Sequence, residues 1–153
     1  MTSPTVITTT HNSDGLSVFR DNPVFKSFST KVGIVYSTAD NGPVTLSNDK
    51  DLADHEARNA FALIPTQGSV VLVAEWPPGT EPRMHRTLSV DVGVMIAGEI
   101  ELLLDSGETR VLKQGDVLIH RGTMHGWRNR SATETARMVC FVLPSEPIPG
   151  VKD

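Results

Sequence analysis

From Ser69 onward the chain runs in short apolar stretches punctuated by turn residues. SVVLVAEW stops at Pro77-Pro78-Gly79, VDVGVMIAG at Gly98, and EIELLLD at Ser106-Gly107. TRVLKQ stops at Gly115, DVLIH at Arg121-Gly122, and ARMVCFVLP at Pro144. Many short β-prone runs spaced by roughly ten residues, with turns between them, predict an all-β sandwich or barrel. The rhythm of strand and long helix that marks a parallel α/β fold is missing. Residues 1–65 are more polar, with turn signals at Asp14-Gly15, Asn22-Pro23 and Asn41-Gly42-Pro43. Short strands are expected there at Val6–Thr9, Leu16–Phe19 and Val32–Tyr36. Residues 48–61 suggest a short helix of poor apolar period. In the last strand Arg137, Val139, Phe141 and Leu143 share one face, and Met138, Cys140 and Val142 the other. Both faces are largely apolar, so one is expected to meet another sheet or subunit.

At 153 residues the chain is one domain in length. We divide it into N-terminal strands and loops over 1–65, a barrel over 66–146 and a Pro-rich tail over 147–153. The formal net charge is -4, which argues against a nucleic-acid partner. Arg121, Arg128, Arg130 and Arg137 lie close in sequence and are read either as solvated positions or as lining for an anion pocket. The start MTSPTVITTT lacks the basic and apolar regions of a signal peptide, and no apolar run is long enough to span a membrane. A soluble cytoplasmic protein is the expectation. The single cysteine, Cys140, excludes an internal disulfide and thiolate zinc clusters, and reads as a small buried hydrophobe. Any metal would therefore rely on imidazole and carboxylate, and five histidines are present.

Two spacings carry chemistry. Gly79, five residues, His85, Arg86, Thr87, three residues, Asp91, six residues and Gly98 follow the pattern G(X)5HXH(X)3,4E(X)6G. Gly115, His120, Arg121, Gly122, His125 and Asn129 follow G(X)5PXG(X)2H(X)3N, one residue short before the proline position, where His120 stands. The chain thereby resembles the cupin superfamily. More narrowly it is similar to one-domain cupins of bacteria and fungal natural-product clusters, which read HRTxSxDYxxVLxGE and GDVVVQRGTxHAWxN. Val92 replaces the usual tyrosine, and His120 the usual glutamine.

The resemblance implies a double-stranded β-helix, or jelly-roll barrel, with extra N-terminal strands, and His85, Asp91 and His125 projecting into it. Alternation supports a shared face for His85 and Thr87, and another for Asp91, Gly93 and Met95. Metal-binding cupins take two histidines and a glutamate from the first motif and a histidine from the second. Thr87 and Asp91 depart from that set. Two readings follow for His85, Asp91 and His125: a site for Fe, Zn or Mn, or, slightly ahead, metal-free acid-base catalysis with Asp91 orienting a histidine. Around them Arg86 and Arg121 are candidates for a substrate anion, Trp127 for a flat wall, and Thr87, Met95 and Glu75 for pocket lining. Strand parity groups His120 with Leu118 and Asp116, opposite Val117 and Ile119, and leaves an outward direction open. His11 and His55 read as surface residues. The expected function is dehydration, decarboxylation or isomerisation of an aromatic or polyketide-derived metabolite. The alternatives are a metal-dependent oxygenase and a non-catalytic small-molecule binder. A homodimer is expected from the long N-terminal extension.

Overall fold

The computed structural model describes residue 1, residues 3–20 and residues 25–150. The Asn22-Pro23 turn lies outside these residues. Eleven strands are present among them: β1 (Thr8–His11), β2 (Ser17–Arg20), β3 (Lys26–Ser27), β4 (Val32–Ser37), β5 (Val70–Trp76), β6 (Ser89–Ala97), β7 (Glu99–Leu104), β8 (Thr109–Lys113), β9 (Val117–Arg121), β10 (His125–Arg128) and β11 (Ala136–Pro144). A 3-10 turn (Ser47–Asp49) leads into α1 (Lys50–Ala57), within the span where a short helix was expected.

All strand pairs are antiparallel. Six strands form one sheet in the order β3-β4-β5-β11-β6-β9, three form a second in the order β10-β7-β8, and β1 and β2 form a two-stranded sheet. β4 is hydrogen-bonded to β5, so strands on both sides of residue 65 share the large sheet. Two strands were not anticipated. β3 has only two residues, too few for any periodicity. β10, of sequence HGWR, contains a glycine and no β-branched residue, and its strand conformation comes from pairing with β7.

The two sheets close on one apolar cluster. Met95 and Met138 from the large sheet meet Ile100, Leu102 and Leu112 from the small one, with Trp76, Trp127 and Cys140 packed against them. A second cluster under β4 and β5 holds Ile34, Val70, Leu72, Ala74 and Val142. Both clusters use the Met138, Cys140, Val142 face of β11, which fixes the inward side of the large sheet. Gly93, opposite Cys140 on β6, admits this packing: a Cβ there would lie 2.5 Å from Met138 Sδ. Gly98 turns β6 into β7 with φ at 65°, and a Cβ would lie 2.8 Å from the Thr135 carbonyl oxygen. No helix among the described residues is long and apolar enough to cross a membrane.

Candidate active site

The site begins with a backbone contact between distant segments. His85 and His125 form an isolated antiparallel bridge, with N–H to O distances of 2.8 Å from His85 to His125 and 2.9 Å in return. Residues paired in this way hold their side chains on one face. Their ring centroids are accordingly 4.2 Å apart. His120, from the neighbouring end of β9, stacks edge-on against His125 at 4.0 Å. The three imidazoles form a file with His125 in the middle. His85 is exposed at its outer end, whereas His120 and His125 are each only 4% exposed.

Hydrogen bonds set the tautomers. His85 Nδ1 lies 2.9 Å from the Arg83 carbonyl oxygen, and His125 Nδ1 lies 2.9 Å from that of Thr123. A carbonyl only accepts, so each Nδ1 carries the proton and each Nε2 presents a lone pair. Burial, opposed by the Thr123 bond, lowers the His125 pKa to about 4. His125 is therefore a neutral base near pH 7. Burial also lowers the pKa of His120, whose Nε2 lies 2.8 Å from Thr123 Oγ1.

Asp91 sits beside this file. It pairs with His120 across β6 and β9, and its Oδ2 lies 4.0 Å from His120 Nδ1. Asp91 Oδ1 and His120 Nδ1 are buried and have no hydrogen-bond partner within the protein. Desolvation raises the Asp91 pKa, and a hydrogen bond with Ser89 and the charge of His125 oppose the rise. Burial thus moves Asp91 and His125 in opposite directions, raising the carboxyl and lowering the imidazole. Trp127 closes one side, 5.5 Å from the His125 ring and 5.2 Å from Trp76.

A family model described as "Cupin domain" matches residues 72–142. The chain is 40% identical over 157 aligned positions to "Phomopsin biosynthesis cluster protein C'" of Diaporthe leptostromiformis, covering 95% of this chain and 81% of that protein. It is 38% identical to "Cupin-domain-containing oxidoreductase srdB" of Neurospora crassa, covering 92% and 73%. This chain belongs to the cupin-domain family. Among solved structures, a protein with a double-stranded beta-helix domain from Klebsiella pneumoniae is 34% identical, covering 51% of this chain and 69% of that one, with a TM-score of 0.45.

This cupin places the remaining candidate residues unevenly. Met95 is 1% exposed within the core cluster. The Thr87 hydroxyl lies 3.0 Å from Ser89 Oγ, one step from Asp91. Arg86 is half-buried, with its Nε lacking a hydrogen-bond partner. Two expectations are corrected. Arg121 is exposed on the side of β9 that carries Ile119, facing away from His120, so it cannot reach a substrate beside His125. Glu75 is also on the outer side of its sheet, where Arg137 pairs with it at 3.5 Å. Val92, where similar chains carry tyrosine, lies on that side too, opposite Phe141 and Ile119. The arginine cluster is otherwise neutralised within the fold: Arg128 and Arg130 approach Glu101 at 3.2 and 2.9 Å.

His120 is the residue the sequence underrated. Its grouping with Leu118 was sound, but its partners Val117 and Ile119 face outward despite being apolar. His55 is also buried, at 3% exposure, and lies 3.0 Å from Ser37 Oγ. It borders a 460 Å³ cleft between the N-terminal hairpin and α1. The polar groups there answer one another: Tyr36 donates to Asp51, and Arg20 pairs with Asp49 and Glu56. That cleft is a structural network.

Among the described residues, no three His, Cys, Asp or Glu side chains converge as a metal site would require. Thr87 stands at the position of the missing histidine ligand, and its hydroxyl is engaged by Ser89.

Proposed function

We propose that this cupin is an enzyme of natural-product biosynthesis that performs metal-free acid-base chemistry on an aromatic or polyketide-derived metabolite, with dehydration as its reaction. The observation that carries the reading is the buried cluster in which the His120 ring lies 4.0 Å from the His125 ring and its Nδ1 4.0 Å from Asp91 Oδ2, with burial lowering the His125 pKa to about 4 and raising that of Asp91. Groups whose pKa values are driven in opposite directions suit the base and acid of one reaction.

In the proposed step His125 Nε2 removes a proton from the carbon next to a substrate carbonyl. The C–H electron pair becomes the new C=C bond as the β-hydroxyl departs. Asp91 supplies that hydroxyl with its proton, releasing water. Transfer of the proton from His125 to Asp91 restores the starting state, and substrate equals product plus water. His85 lines the entrance beside His125, and Trp127 offers a flat apolar wall to a ring. The Arg83 and Thr123 carbonyls orient the histidines, a role the sequence reading had given to Asp91. Decarboxylation has less support, because Arg121, the expected anchor for a carboxylate, lies on the other side of the sheet.

Metabolite profiling tests this reading. The producing organism is deleted for the gene and complemented with wild type or His125→Ala. The intermediate accumulating without activity is expected to exceed the product by the mass of one water. A difference of two hydrogens or one oxygen atom, with a stoichiometric metal in protein purified without chelator, sinks the proposal. That outcome would favour the oxidoreductase reading suggested by the name of the Neurospora crassa relative. A ligand bound tightly and recovered unchanged would instead indicate a binding protein.

A further inference from the structure

The small sheet places an arginine on the same side as the site. Register sets Trp127, Leu102 and Arg110 in one row across β10, β7 and β8, and His125 and Leu104 in the next. Leu102 and Leu112 belong to the core cluster, with Leu104 and Trp127 packed against it. Alternation along β8 puts Arg110 on the side of Leu112, and so on the side of His125 and Trp127. Val111 between them points away and is 49% exposed. The other arginines of the two sheets, Arg121, Arg128 and Arg137, stand at outward positions. Arg128 and Arg137 face carboxylates there. Arg110 is exposed, its Nη1 donates to the Thr109 carbonyl at 2.7 Å, and among the described residues it makes no ion pair.

Beside this guanidinium lies an open cleft of 150 Å³, lined by Leu102, Leu104, Glu108, Thr109 and Arg110. At about 30 Å³ per water that is room for roughly five waters, or for a carboxylate on a short alkyl stem. An apolar cleft with a fixed polar group at its end is how small-molecule sites orient an amphipathic ligand. Neighbouring strands are about 4.8 Å apart, so two strand steps put the Arg110 Cα about 10 Å from that of Trp127. A ring beside Trp127 and His125 therefore needs a chain of a few carbons to bring an acidic end to Arg110. The planar guanidinium fork matches a carboxylate with two parallel hydrogen bonds. Glu108 shares the rim and accepts from the Ser106 hydroxyl at 3.2 Å. Its charge favours a singly charged carboxylate over a phosphate dianion, because repulsion grows with the ligand's charge.

We propose that Arg110 anchors a carboxylate at the far end of the substrate, with Leu102 and Leu104 covering the connecting chain and the ring resting against Trp127. The substrate class is thereby narrowed to an aromatic or polyketide-derived acid. The proposal rests on the acid-base reading for the place of the reacting end, beside His125. The anchored carboxylate lies two strands away from His125, so it is a handle that the dehydration leaves untouched. Binding energy collected there holds the reacting carbon against His125 and sets which substrates are accepted.

Isothermal titration calorimetry of the full chain with phenylbutyrate and with its uncharged amide tests it. Wild type is expected to bind the acid at least about tenfold more tightly than the amide, the usual worth of hydrogen bonds to a charged group. Arg110→Gln should erase that preference by weakening the acid alone. Arg110→Lys should restore only part of it, because an ammonium lacks the fork. Both variants should keep the wild-type circular dichroism, since the side chain is exposed. Arg121→Gln, on the outer side of the large sheet, should leave the preference intact. Absence of acid binding by wild type at millimolar concentration overturns the proposal. So does equal affinity for acid and amide, a preference that persists in Arg110→Gln, or one lost in Arg121→Gln. The titration needs no turnover, so the two readings fail separately. A missing acid preference leaves the dehydration standing, and an accumulated metabolite that differs by something other than water leaves the anchor standing.

Discussion

The two sides of β6 and β9 distribute polarity unusually. Inward from these strands point the polar Asp91 and His120 beside the apolar Met95 and Leu118; outward point Val90, Val92, Val117 and Ile119. A half-exposed sheet normally buries its apolar side. Here the inward side contains a carboxyl and an imidazole whose polar atoms lack protein partners, and burying such groups costs stability. The outward side leaves in water side chains that would stabilise the chain if covered.

The largest expected effect that would break this comparison lies on the inner side. His125→Ala and Asp91→Asn should each lower turnover by about 10²–10⁴-fold, the usual worth of a positioned acid or base, as read from product formation in the complemented strain. If both remain fully active, the inner polar groups serve another purpose. Next in size is Gly93→Ala, which forces a methyl group against Met138 Sδ. It should cost about 1–3 kcal/mol in urea denaturation, because a packed core resists added volume. An unchanged midpoint would mean that the core between the sheets is looser than its packing implies.

The pH dependence sharpens the same contrast. The His125 pKa falls from 6.5 to about 4 on folding, so the unfolded chain binds more protons between those values. Its contribution makes stability rise with pH across that window and fall as pH drops through it. Asp91, with its pKa raised, contributes with opposite sign: its stabilisation is present at low pH and lost as pH rises through the raised value. The difference between wild type and His125→Ala isolates the histidine. Urea midpoints measured from pH 4 to 7 should slope less steeply in the variant; equal slopes would show that His125 is accessible to protons in the folded state. The smallest effect belongs to the outer side. Glu75→Gln should cost no more than about 1 kcal/mol and leave turnover unchanged, because it loosens the outer-side contacts with Arg137 and the Met1 ammonium. A large loss of turnover would place Glu75 in the pocket after all.

Much of the barrel was legible because its signals are local. The runs at Val70–Trp76, Glu99–Leu104 and Ala136–Pro144 are apolar, bounded by turns, and fall on β5, β7 and β11. The short strands before residue 65 were approximated less closely: β1 and β2 each lie one or two residues beyond their expected spans. β10 was unreadable, since its strand conformation is imposed by β7. The motif spacings singled out His85 and His125, but nothing in them indicated that the two residues exchange backbone hydrogen bonds. Arg121 and Glu75 were placed near the pocket by their proximity in sequence to motif residues, whereas each lies on the opposite side of its strand. His55 looked like surface because its neighbours are charged, yet it is covered by Ser37 and Tyr36 from β4.

By itself, the sequence determined where the strands and turns fall, which residues share a face, and which imidazoles and carboxylate accompany the cupin pattern. These properties follow from local geometry: side chains alternate every residue, and glycine and proline interrupt pairing wherever they stand. Only the tertiary structure decided which face of each strand is inside. Alternation has no absolute direction until a strand is paired, and the pairing of β6 with β9 and β11 turned His120 inward and Ile119 outward. The tertiary structure also set the protonation of the site. The backbone carbonyls that fix the His85 and His125 tautomers and the burial that shifts His125 and Asp91 arise from segments brought together only when the sheets close.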